Sequence, residues 1–156
     1  MNGNVISYDM INMELRQMGA TNIESNATHI VIVDFDISED MRISYLYNVK
    51  DENDIYLQRI EPYPIRKTKM HTEEDVISFI DADIKKFKRA YQSSKFSIFL
   101  NLINKVSTYD EEIEDLFLRY NIEREYAEAL DSCLDKMHDT MIDIENNCEK
   151  FEQEGV

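Results

Sequence analysis

The sequence predicts an α+β protein: an N-terminal helix, a three-stranded antiparallel meander and a covering helix, followed by an all-helical C-terminal part ending in a long amphipathic helix. Two observations carry this. Apolar residues recur at helical spacing near the start, alternate with period two between His29 and Ile60, and return to helical spacing from Thr72 onward. The connections between the three alternating runs are also too short for parallel crossovers, which need a dozen residues or more.

The first helix spans about Ser7 to Met18, with Ile11, Leu15 and Met18 spaced by four and three. Ser7 or Asp9 is its N-cap candidate, and Gly19 stands where a left-handed C-cap belongs. The first strand, His29–Ile37, sets Val31, Val33, Phe35 and Ile37 against Ile30, Ile32, Asp34 and Asp36. After the turn at Ser38-Glu39-Asp40, Met41–Val49 places Ile43, Tyr45, Tyr47 and Val49 on one face. Asp51-Glu52-Asn53-Asp54 is a polar hairpin loop. Ile55–Ile60 is the third strand, stopped by Glu61-Pro62-Tyr63-Pro64 because proline cannot donate to a ladder.

Thr72-Glu73-Glu74-Asp75 has the form of a capping box, and Val76, Ile80, Ile84, Phe87 and Tyr91 follow as one stripe. Phe96 to Val106 reads as a second short helix. Ile113, Leu116, Phe117 and Tyr120 read as a third, entered through Thr108 or Asp110. The last stripe is the longest: Tyr126, Leu130, Cys133, Met137, Met141, Ile144, Cys148 and Phe151. Residues 1–92 thus form an α-β-β-β-α layer domain and 93–156 a helical part, which either packs on the first or pairs two copies. A homodimer through the C-terminal helix follows from the second arrangement, since so long an apolar stripe exceeds what capping a small domain requires.

The 156 residues carry 17 basic against 32 acidic side chains, a formal charge of −15, with 43% hydrophobic residues including 7 Phe and 9 Tyr. That is enough apolar material for a core and argues against wholesale disorder. Three Gly and two Pro exclude linker-dominated chains. The longest apolar run, Ile30–Val33, is far short of a spanning helix, and Met1–Val5 has no secretory leader pattern, so a cytoplasmic protein is expected. The Asn26-Ala27-Thr28 sequon then has no use. Neither an N-myristoyl glycine nor a prenylation box is present. Nineteen Ile and twelve Asn against six Ala point to an AT-rich genome, a low-GC bacterium or its phage. So negative a chain is expected to avoid polyanions, hence no direct nucleic acid and no membrane, and to attract a protein partner with a basic surface.

Charge is segregated along the chain. Lys85, Lys86, Lys88, Arg89, Lys95 and Lys105 share a stretch with no acids, preceded by Arg66, Lys67 and Lys69. This block reads as a solvated helix face, or as a phosphate contact with Tyr91 and Phe96 as stacking groups. From Ser107 onward sixteen acids meet four bases. The candidate partner-binding surface is drawn from these: Asp110, Glu111, Glu112, Glu114 and Asp115, then Glu128, Asp131, Asp135, Asp139, Asp143 and Glu149. Rows of carboxylates at helical spacing can imitate nucleic-acid phosphates and fill a basic groove; the plain alternative is the solvated exterior of an acidic bundle.

Other chemistry is sparse. Asp34, Asp36, Glu39 and Asp40 are the best oxygen-ligand cluster but lack the glycine and spacing of a calcium loop, and read as an edge-strand solubilising pair. Asp135 and His138 have one half of a di-iron spacing without a second motif. Cys133 and Cys148 lie on one helix too far apart to pair, and read as buried thiols. His29, His71 and His138 have no catalytic partner pattern, and no phosphate loop, nucleophile elbow or zinc motif occurs. No cofactor and no metal is implied. The expectation is a non-enzymatic acidic interaction module, in its sharpest form a phage or mobile-element inhibitor mimicking nucleic acid. The alternative is a dimeric chaperone or adaptor holding a client segment.

Overall fold

The structure, a computed structural model, describes residues 8–25, 30–51 and 54–151. Ser7, the sequon, His29, Glu52, Asn53 and both termini lie outside them. The described elements are α1 (Tyr8–Gln17), β1 (Asn22–Ser25), β2 (Ile30–Ser38), β3 (Met41–Asp51), β4 (Asp54–Glu61), β5 (Thr68–Met70), α2 (Glu73–Tyr91), α3 (Phe96–Arg119) and α4 (Arg124–Asn147). The class is α+β, with a five-stranded antiparallel sheet in sequential order β1-β2-β3-β4-β5 rather than the three strands expected. The additions are short edges. Asn22-Ile23-Glu24-Ser25 and Thr68-Lys69-Met70 carry too few apolar residues to alternate, and pairing with β2 and β4 alone holds them extended. β2 is therefore an inner strand from Val31 to Asp34, so Asp34 is not on an edge, while Asp36 lies beyond the last residue that β1 pairs.

Period two explains the rest of the sheet. Val31, Val33 and Phe35, then Ile43, Tyr45 and Tyr47, then Ile55 and Leu57 are buried on one face. Ile11 and Leu15 of α1 and Val76, Ile80, Ile84 and Phe87 of α2 complete that core, so both helices cover the same face. Hydrogen bonds pin them there: Tyr47 Oη donates to Asn12 Oδ1 of α1 at 2.7 Å, and Tyr45 Oη to Asp83 Oδ2 of α2 at 2.9 Å. Each fully buried aliphatic or aromatic side chain contributes roughly 1.5–3 kcal/mol, which makes this layer the thermodynamic centre of the chain. An apolar sheet face free to hold a client, one form of the adaptor expectation, is thus already occupied by α1 and α2.

Local signals are confirmed at two ends. Gly19 closes α1 with φ 94°, a conformation a side chain would strain. Thr72 caps α2, accepting from the Asp75 backbone while the Asp75 carboxylate accepts from the Thr72 backbone. The hydrogen bonds from Thr72 and from the His71 backbone hold the Asp75 carboxyl below its usual range.

The C-terminal helices differ from expectation. Phe96 to Arg119 is a single helix of 24 residues, not two. Neither proline nor glycine interrupts it, and the Thr108 hydroxyl, expected as a cap, donates to the Asn104 carbonyl one turn back. At the other end α4 stops at Asn147, with Cys148 extended at its C-cap, so Cys148 and Phe151 lie past the helix. The chain divides into two units, Met1–Ile103 and Asn104–Val156. The core sits in the first, and Phe96, Phe99 and Leu100 of α3 pack onto it.

Candidate functional site

In the second unit, α3 beyond Ile103 and α4 are joined by the turn Tyr120–Glu123. No residue of α4 is buried. Its stripe is therefore open: Tyr126, Leu134, Met137, Met141 and Ile144 are all exposed. Cys133 and Cys148 are exposed as well, which corrects the expectation of buried thiols. The reason is direct: among the described residues nothing covers the helix that was expected to bury them.

Helical geometry separates two faces on α4. At about 100° per residue, Tyr126, Leu130, Cys133, Leu134, Met137, Met141 and Ile144 fall within about 60° of the Met137 direction. Glu125, Glu128, Asp131, Asp135, Asp139 and Asp143 fall about 120° or more away, on the reverse. These six carboxylates cover about 27 Å of helix, one per roughly 5 Å, against one charge per ~3.4 Å along a strand of duplex DNA. All are exposed. Arg124 pairs with Glu128, whereas Asp131, Asp135, Asp139 and Asp143 have no cationic partner among the described residues.

The remaining candidates are less well gathered. On α3, Glu111 and Asp115 face away from the Ile113 direction, Glu112 and Glu114 flank it, and Asp110 borders it; Asp115 pairs with Arg119 at 2.7 Å. Glu149 lies beyond the end of α4 and outside its row. The acidic surface is thus one well-ordered row on α4, a second shorter set on α3, and one outlier.

Part of the basic set makes local contacts, whereas Lys86, Lys88, Arg89, Lys95 and Lys105 have no ion-pair partner among the described residues. Lys85 pairs with Asp81 at 2.8 Å, Lys69 with Asp54 at 2.9 Å, and Lys67 lies 4.2 Å from the Tyr56 ring centroid. Phe96 is buried in edge contact with Tyr91, whose hydroxyl donates to Asp40, so neither ring is a free stacking platform. Asp36 pairs with Arg42 at 2.8 Å, Asp34 accepts from Ser44, and Asp40 accepts from Ser38 and Tyr91. Among the described residues no three His, Cys, Asp or Glu side chains come together to hold a metal ion.

One polar constellation escaped the sequence reading. Arg59 points into the core from β4, its side chain 5% exposed, with Nη1 donating to both carboxylate oxygens of Asp83 at 3.0 and 2.8 Å. Its guanidinium stacks between the rings of Tyr63 and Phe87, 4.4 and 4.6 Å from their centroids. The signal was present: Ile55, Leu57 and Arg59 share one parity, so an arginine sits in an apolar register. Burial, reinforced by Asp83, pushes the Tyr45 phenol well above its usual range. This network has the makings of a structural lock, since every charged group in it is answered by another.

Set beside known protein families, curated proteins and solved structures, the chain matches none. Among the described residues, no helix is long and apolar enough to cross a membrane.

Proposed function

We propose that this chain is a non-enzymatic, cytoplasmic protein-interaction module whose second unit binds a protein with a basic surface, and in its sharpest form an inhibitor that fills the nucleic-acid-binding groove of a host protein. The observation that carries the reading is the carboxylate row of α4. Asp131, Asp135, Asp139 and Asp143 succeed one another at i, i+4, and like charges at that spacing destabilise a helix by roughly 0.2–0.5 kcal/mol per pair. An exposed row that costs stability and has no cationic partner among the described residues is suited to an intermolecular contact. The second reading, an adaptor for an apolar client, draws on the open stripe of the same helix and requires binding that survives salt.

The test uses the full chain and the variant Asp131→Asn/Asp135→Asn/Asp139→Asn/Asp143→Asn, immobilised side by side against a nuclease-treated lysate of a low-GC bacterium. The reading predicts proteins retained by the wild type, displaced by added single-stranded DNA and lost from the variant. Equal retention on both columns, or retention indifferent to DNA, overturns it.

A further inference from the structure

The apolar face of α4 is open, and its area and composition indicate an occupant. Tyr126 and Tyr120 are each 65% exposed, Leu134 50%, Met141 48% and Ile144 54%. An aromatic side chain offers 150–250 Å², so these residues with Tyr109, Leu116 and Phe117 of distal α3 expose on the order of 1,000 Å² of apolar surface. A stable protein–protein interface needs about 800 Å² from each partner. The surface is continuous with a groove of about 550 Å³ at the α3–α4 turn, because Tyr126, Leu130 and Cys133 line both.

Three features favour a second copy over a foreign chain. Spacings of four and three from Tyr126 to Ile144 make a seam of the coiled-coil kind, which is self-complementary under two-fold symmetry. Charge is absent from the stripe, as in obligate homodimer interfaces. The carboxylates of α4 stand on its far side, so two α4 stripes can close while both α4 rows remain in solvent; on distal α3, Asp110 borders the apolar face and Glu112 and Glu114 flank it. We infer that the protein is a homodimer in which the apolar face of α4 and distal α3 is covered by the same face of a second copy. The argument is independent of the basic-partner reading, since it concerns the opposite face.

Sedimentation equilibrium of the full chain tests this, with the variant Met137→Glu/Met141→Glu and the control Asp135→Asn/Asp139→Asn. The wild type is expected at twice the 18.5 kDa chain mass at micromolar concentration. Its dimerisation should tighten with added salt, because screening relieves repulsion between two acidic chains. The stripe variant should associate at least about a hundredfold more weakly, because the dimer would bury unpaired charge. It should still show the near-ultraviolet tyrosine signal of the folded sheet, as neither position touches that core. The control should remain dimeric with a shallower salt response. A wild type monomeric at every concentration overturns the inference and hands the stripe to a foreign partner; a dimer indifferent to the stripe substitutions overturns it equally.

Discussion

Arg59 stands where the alternation of β4 calls for an apolar side chain, and its pairing with Asp83 makes that tolerable. Removing one member leaves the other charged and unanswered, so Arg59→Met or Asp83→Leu alone should cost about 3–5 kcal/mol in urea denaturation. Changing both, together with Tyr45→Phe to spare the stranded hydroxyl, should recover most of the loss. A triple variant as unstable as the singles would show the network does more than satisfy itself. Tyr45 and Tyr47 supply a pH test. Burial raises both phenols, and Asp83 adds to the shift at Tyr45. A phenol with a folded pKa above its unfolded value of about 10 holds its proton more tightly in the native state. Its contribution is therefore complete below about pH 10 and is lost as pH rises beyond it, at about 1.4 kcal/mol per pH unit for each tyrosine. Unfolding midpoints should be insensitive to these groups near neutrality and fall above about pH 10, with a flatter fall in Tyr45→Phe/Tyr47→Phe; equal slopes would contradict the assignment.

Among the elements, α3 and the edge strands show which parts of the fold were legible in the sequence. The inner strands and α2 were readable because each has a full apolar face, and the Thr72 box marked a helix start to the residue. Thr72→Ala should cost about 1 kcal/mol of stability. β1 and β5 were not readable, since strands of three or four residues acquire their conformation from a neighbour's unpaired backbone. The division of α3 at Thr108 failed for a related reason: a hydroxyl that can cap a helix can equally bond back into one. Ser107→Pro distinguishes the two outcomes. In a continuous helix it removes a backbone bond and costs about 3 kcal/mol with a clear loss of helicity, whereas a proline between two helices would leave circular dichroism nearly unchanged. The apolar stripe of α4 was visible, but not its exposure, because periodicity says which face wants cover and not whether the chain supplies it. The carboxylate row was legible as residues, and its position opposite that stripe needed the helix to be uninterrupted through Asp143.

At the scale of the molecule, the chain joins a folded layer of helices and sheet to an acidic helical unit whose last helix has two faces of opposite character. The first unit holds the core and the Arg59 lock, while the second holds a net −12 between Ser107 and Val156. The two faces should respond to salt in opposite senses. Apolar self-association strengthens as repulsion is screened, and carboxylate contacts to a basic partner weaken. The measurement that tests the central claim most directly is the salt dependence of partner retention, run on the wild type and on Asp131→Asn/Asp135→Asn/Asp139→Asn/Asp143→Asn. The account predicts retention by the wild type that falls steeply as salt rises, and a variant that holds little of the same partner even at low salt. A variant that retains the partner as tightly as the wild type, with the same salt profile, would contradict it.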